Sequence, residues 1–260
     1  MKAVTGSAQA VLGLISLLLL PASASATLVY SNDFQGAVGS EWSATTVASA
    51  PNPDYEGNRK FLGEFGPETV TLTLAGLPAH TAATVEFSLY LIRSWDGEDD
   101  NNSFPDSALG SDHWKFSAGG TARFDETFSN GNPAGQSYTG PGTPTHCAGH
   151  ADPAGPAHAA LSGAAECYSL GYMFNDIPNG TNENMDSVYN FSFNFAHAGD
   201  SLVLAFEAYG LQSLADESWG LDNVSVSVTP VPLPATLALL LAGLSVLGAI
   251  GGRRGKTGSI

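Results

Sequence analysis

At 260 residues, 43% of them hydrophobic, the chain is long enough for one large domain or two modest ones. Nine Lys and Arg face 25 Asp and Glu, a formal net charge of −16, so the surface repels phosphates and nucleic acid is a poor partner. Charged residues make up only 13%, while glycine reaches 30 and proline 15, which argues against coiled coils and helical bundles and favours an all-β protein with many turns.

Residues 1–26 open with Lys2, run through an apolar stretch at 11–20 and close with Ala24-Ser25-Ala26. Small residues at the −3 and −1 positions suit a signal peptidase, so this segment is expected to be a signal peptide cleaved after Ala26, and the mature chain to be exported. Ten strongly apolar residues are too few for a retained span.

Residues 27–230 are expected to form one β domain. They hold all 25 acidic residues and five basic ones (Arg59, Lys60, Arg93, Lys115 and Arg123), a net charge of −20. About 200 residues bury a sufficient core, so size alone demands neither a metal nor a disulfide. Weak strand patterns lie near Leu28–Tyr30, Trp114–Ser117 and Phe124–Phe128. Val70, Leu72 and Leu74 share one face of a strand that ends at Gly76-Leu77-Pro78. Val85, Phe87, Leu89 and Leu91 share a face of the next, and Tyr90 and Ile92 make its second face apolar too, the mark of a central strand. Phe191, Phe193 and Phe195 alternate with polar residues, and Gly199-Asp200 leads into Leu202, Leu204 and Phe206, which reads as a hairpin. Val224, Val226 and Val228 form the closing strand. Strands at this spacing with long connections predict a two-sheet antiparallel sandwich, most simply a jelly roll.

The densest polar cluster, Asp96-Gly97-Glu98-Asp99-Asp100-Asn101-Asn102 with Asp106 and Asp112 following, comes directly after the central strand. Six carboxylates within 17 residues repel one another unless a cation or solvent separates them. Calcium takes six to eight oxygens, which such a loop supplies, and Asp96, Asp106 and Asp112 are the preferred ligands. The spacing is not that of an EF-hand, and a merely solvated loop is the other reading. Cys147 and Cys167, the two cysteines of an exported chain, are expected to pair. Their disulfide would close about 20 residues, worth about 3 kcal/mol, and staple an irregular Gly/Pro/Ala-rich insertion around 131–167. His146, His150 and His158 share that insertion, where the prolines argue against a helical zinc site.

Aromatic residues admit two roles. Trp42, Trp95, Trp114 and Trp219 with Tyr55, Tyr138, Tyr168 and Tyr172 either build a sugar-stacking platform or fill the core, and loop tyrosines are the expected glycan contacts. A glycosidase needs two facing carboxylates, for which Glu126, Glu207 and Glu217 are the candidates, but no hydrolase motif accompanies them.

The chain ends with Val231-Pro232-Leu233-Pro234-Ala235, an uncharged apolar stretch at 236–252, and Arg253-Arg254. About 17 residues at ~1.5 Å each span roughly 25 Å, enough for a transmembrane helix in a thin bilayer, with the arginines cytoplasmic. This order of motif, apolar helix and basic end resembles the PEP-CTERM sorting signal of Gram-negative bacteria in its VPLPA form. The resemblance covers about the last 30 residues and implies recognition by an exosortase, inner-membrane anchoring before processing, and release to the cell surface or extracellular matrix. Residues 255–260 extend past the basic pair, where family members often stop. The run Trp219-Gly220-Leu221-Asp222-Asn223-Val224 and the opening Asp33-Phe34 are similar to the edges of bacterial jelly-roll and lectin-like modules. Together these readings point to a non-catalytic surface or matrix protein that is structural or binds extracellular polysaccharide weakly. The alternative is a polysaccharide-degrading or modifying enzyme, a glycoside hydrolase or lyase, on the same scaffold.

Overall fold

The computed structural model describes residues 25–52, 59–98, 110–131, 135–140, 158–176 and 181–232. Most of the expected signal peptide, Asp106, Cys147, Leu233 onward in the sorting motif, the expected transmembrane helix and Arg253-Arg254 lie outside these residues. The chain divides into two units. One, Ser25–Val231, contains every described element; of the other, Met1–Ala24 with Pro232–Ile260, only Pro232 is described. Among the described residues no helix is long and apolar enough to cross a membrane.

The described chain is all-β, in thirteen strands: β1 (Thr27–Asn32), β2 (Val47–Ser49), β3 (Lys60–Phe65), β4 (Thr69–Ala75), β5 (His80–Arg93), β6 (His113–Ala118), β7 (Thr121–Thr127), β8 (Glu166–Cys167), β9 (Met173–Asp176), β10 (Thr181–Asn184), β11 (Asp186–Ala196), β12 (Ser201–Tyr209) and β13 (Glu217–Pro230). One sheet has the order β2-β3-β13-β5-β11-β8, with β1 also on β13; the second has the order β4-β12-β6-β7; β9 and β10 form a two-stranded ribbon. All pairings are antiparallel.

Period-2 alternation places the core between the two sheets. Val85, Phe87, Leu89 and Leu91 of β5 meet Leu72, Phe116, Leu204 and Phe206 of the smaller sheet in one buried cluster, closed by Val224, Val226 and Val228. At about 25 cal/mol per Å² of apolar surface, this burial is the main stabilising term. The second apolar face of β5 has its own cover. Tyr90 and Ile92 pack with Phe61, Val188, Leu170 and Tyr172 beneath the segment 169–172.

The hairpin expected at Gly199-Asp200 is not one. β11 pairs with β5 and β8 in the larger sheet, whereas β12 pairs with β4 and β6 in the smaller. The turn carries the chain across the sandwich, and the two alternating runs face each other through the core. Alternation reports which face of a strand is buried, and a crossing between sheets preserves that as well as a hairpin does. The turn at Gly119-Gly120 does form a hairpin, β6 to β7, with both glycines at positive φ (57° and 74°) as a tight two-residue turn requires.

Candidate functional site

Two polar assemblies stand out among the described residues. The first lies on the outer face of the larger sheet. Side chains of β5, β11 and β13 that point away from the core are Glu86, Ser88, Tyr90, Asn190, Ser192 and Asp222, brought side by side by the registers Asn190↔Ser88 and Asp222↔Ser88. Ser88, Tyr90, Asn190 and Asp222 among them floor a groove of about 510 Å³, which Asp33, Gln35, Arg59 and Glu166 help to wall. A shallower depression of about 340 Å³ shares Ser88, Asn190 and Asn223 with it and extends toward Ser192 and Ser225.

The groove is held rigidly. Arg59, just before β3, and Glu166, on β8, form a bidentate ion pair at 2.7 and 2.9 Å, although three strands separate β3 from β8 in the sheet. Ser169 also donates to Glu166 at 2.7 Å. The Tyr90 hydroxyl donates to Asp222 at 2.8 Å, and Ser88 Oγ donates to Asn190 Oδ1 at 2.8 Å. A bulge after Asp222 puts Asn223 at φ 52° and exposes its amide beside the groove. Burial holds the Asp222 carboxyl above its ordinary range, against the lowering effect of the Tyr90 hydroxyl. The segment over this end of the sheet hangs on Asp186. Its carboxylate, wholly buried, accepts from the backbone N–H groups of Leu170, Gly171 and Tyr172 at 2.9, 2.9 and 3.0 Å.

The second assembly sits at an end of the sandwich. Asp96 follows β5 and Glu217 opens β13, both in the larger sheet; Asp112 precedes β6 of the smaller one. One carboxylate oxygen from each lies within 4.8 Å of the others. Asp112 and Glu217 are 0% exposed and Asp96 is half-buried. Close backbone approaches fix the geometry. Gly97, at φ 69°, accepts from Asp112 N through its carbonyl, and a Cβ there would lie 1.9 Å from the Gly135 carbonyl oxygen. The Asp96 N–H donates to Asp112 Oδ2, while Asp112 Oδ1 is buried with no hydrogen-bond partner. Glu217 accepts from Gln212 N at 2.7 Å, and the Gln212 side-chain amide is best oriented with its nitrogen toward the same carboxylate. Burial above all, with the Asp96 charge added at Asp112 and the Asp112 charge added at Glu217, pushes both carboxyls well above the ordinary carboxylate range.

Of the residues expected to bind calcium, Asp96 and Asp112 therefore come together, Asp106 lies outside the described residues, and the third member is Glu217, about a hundred residues further along the chain. Nothing local marks Glu217 for this place; it arrives because β13 pairs with β5, Glu217 opposite Arg93. Of the two roles open to the tryptophans, filling the core is the one the structure shows. Trp42, Trp95, Trp114 and Trp219 are at most 4% exposed, all within the core between the sheets. Tyr172 is buried under the Arg93 guanidinium, 5.0 Å from its ring centre, and Tyr138 packs against Phe124 and Tyr189. Tyr168 is half-buried, and Tyr55 lies outside the described residues. Large flat side chains bury more apolar area between the sheets than an exposed platform leaves available.

Cys167 is disulfide-bonded, and Cys147, the chain's other cysteine, lies outside the described residues. His158 forms a reciprocal backbone bridge with Gln136, while His146 and His150 lie outside the described residues. Glu126 accepts from Ser137 Oγ at 2.6 Å and Glu207 pairs with Lys115 at 3.2 Å. Glu217 is inaccessible to a glycosidic oxygen, and the registers Trp114↔Glu126 and Glu207↔Lys115 put Glu126 and Glu207 on opposite faces of the smaller sheet, so these three make no facing catalytic pair.

No family model and no curated protein matches the chain. Dimeric latent PorU from Porphyromonas gingivalis aligns at TM-score 0.34 and 12% identity, over 65% of this chain and 10% of that one. A cycloisomaltooligosaccharide glucanotransferase from Paenibacillus sp. aligns at TM-score 0.30 and 8% identity, over 75% of this chain and 18% of that one. The K3 cleaved adhesin domain of Lys-gingipain from Porphyromonas gingivalis aligns at TM-score 0.33 and 11% identity, over 77% of this chain and 98% of that one. Likenesses this distant carry no functional assignment.

Proposed function

We propose that this is an exported, exosortase-sorted surface or matrix protein whose jelly-roll body binds a neutral extracellular polysaccharide through the groove on its larger sheet, without catalysing a reaction. The observation that carries the binding reading is the groove itself. Hydroxyl, amide, carboxylate and guanidinium groups from adjacent strands line an open trough that continues through shared residues into a second depression, a shape that admits an extended polymer. Sugar hydroxyls both donate and accept, so they match such a mixed lining. The polymer is expected to be uncharged. Arg59 is already committed to Glu166, and a domain of net charge −20 repels acidic chains. Export and sorting rest on the Ala24-Ser25-Ala26 segment, the Val231-Pro232-Leu233-Pro234-Ala235 motif, the apolar stretch and the arginine pair.

Affinity electrophoresis of the purified chain through gels containing neutral or acidic polysaccharides tests the reading. Retardation by a neutral polymer, lost in a Ser88→Ala/Asn190→Ala double variant that melts as the parent does, supports it. Retardation by acidic polymers alone would sink it. Release of reducing sugar would favour the enzyme instead.

A further inference from the structure

We propose that Asp96, Asp112 and Glu217 bind one hard divalent cation, Ca²⁺, at the end of the sandwich where the two sheets come together. The inference stands whether or not the outer groove binds a glycan.

Three observations carry it. The three carboxylates arrive from separate parts of the chain and present oxygens within 4.8 Å of one another. Calcium, with oxygens at about 2.3–2.6 Å, accommodates ligand pairs up to roughly 5 Å apart, so three oxygens within 4.8 Å of one another can share one ion. The donor set is all oxygen, with no imidazole or thiolate to favour zinc or copper. Second, Asp112 Oδ1 is wholly buried and receives no hydrogen bond, while its sister oxygen accepts from the Asp96 N–H. A buried carboxylate oxygen left so is costly, and a cation seated among the three carboxylates supplies its missing partner. Third, neither Asp112 nor Glu217 takes part in the ion pairs found among the described residues. Those use Glu64, Asp125, Glu166 and Glu207. Arg93, the cation nearest in the ladder, is turned to Glu64, Ser218 and the Leu214 carbonyl.

A cation here would do structural work. Asp96 lies just past β5, Glu217 opens the adjacent β13 and Asp112 leads into β6 of the smaller sheet, so one ion would tie the sheets together and anchor the start of the acidic stretch. Water completes the coordination, as is usual for calcium sites with few protein ligands.

The test uses the full chain, purified in detergent and stripped with EDTA. Titration calorimetry with CaCl₂ should show a saturable site, and millimolar Ca²⁺ should raise the melting temperature over EDTA by about 5 °C or more. Glu217→Gln and Asp112→Asn should each weaken that site at least tenfold. Asp96→Asn, at a half-buried position, keeps the test open if the buried variants fail to fold. Tb³⁺ bound at the site in the unaltered chain should be sensitised by the neighbouring Trp95 and displaced by Ca²⁺. Absence of saturable Ca²⁺ binding, an equal response to Mg²⁺ alone, or Ca²⁺ binding unaffected by all the variants that fold would overturn the proposal.

Discussion

Replacing Asp186 by Ala is the sharpest test of how the groove is held. Three backbone donors converge on this buried carboxylate, and they belong to the segment that covers Tyr90, Val188 and Phe61. Its removal strands three N–H groups, each costing about 1–3 kcal/mol if buried and unsatisfied. Part of that cost is offset because a desolvated charge is removed as well; burial already holds the Asp186 carboxyl above its ordinary range despite the three donors. The expected net loss is about 3–5 kcal/mol. For a domain of about 200 residues this lowers the melting temperature by about 6–20 °C. Asp186→Asn, which keeps one acceptor oxygen, should fall between the two. Urea denaturation followed by far-ultraviolet circular dichroism gives the free energy, and gel retardation at a temperature where the sheets remain intact gives the groove's state. A loss below about 1 kcal/mol would refute the reasoning, because the cover would then be held by apolar packing alone. Retained polysaccharide retardation alongside a large stability loss would show that the cover is not needed for the groove.

Gly97→Ala should cost at least about 2 kcal/mol by chemical denaturation, since the position is left-handed and the new Cβ meets the Gly135 carbonyl oxygen at 1.9 Å. Trp114→Phe should change stability by less than about 1.5 kcal/mol, because the lost packing is offset by removing a buried indole N–H that has no partner. Trp219→Phe, whose indole donates to the Gly66 carbonyl at 2.8 Å, should cost about 2–4 kcal/mol, and equal losses in the two variants would contradict the hydrogen-bond argument. Burial raises the native pKa of Asp186 and Asp222 above the unfolded value of about 4. The native state then holds these protons more tightly than the unfolded chain, so the stability they contribute is present below pH 4 and is lost as pH rises through the raised native values. The urea midpoint in EDTA should fall with rising pH across that window, and Asp222→Asn should flatten the fall; an unchanged slope in the variant would rule out Asp222 as a source.

Much of the fold was legible because strand burial is written locally. Val70-Leu72-Leu74, Val85 through Leu91 and Val224-Val226-Val228 each declare a buried face within a few residues, and the apolar second face at Tyr90 and Ile92 marked β5 as central, where it lies between β13 and β11. Asp96 and Asp112 were visible as one acidic cluster because they are 16 residues apart and flank the same connection. Other features had no local signature. The link between β11 and β12 carries a turn sequence that fits a hairpin and a crossing equally well, and only the pairing of β11 with β5 and of β12 with β4 decided between them. Glu217 joins Asp112 through the register of β13 on β5, and Arg59 reaches Glu166 across a sheet whose strand order is not the chain order. The sequence by itself determined which side of each strand avoids water, since that depends on residues two apart. The tertiary structure alone decided which strands became neighbours, and with them the groove and the carboxylate cluster, because those depend on contacts between residues tens to more than a hundred positions apart, which no short window of sequence contains.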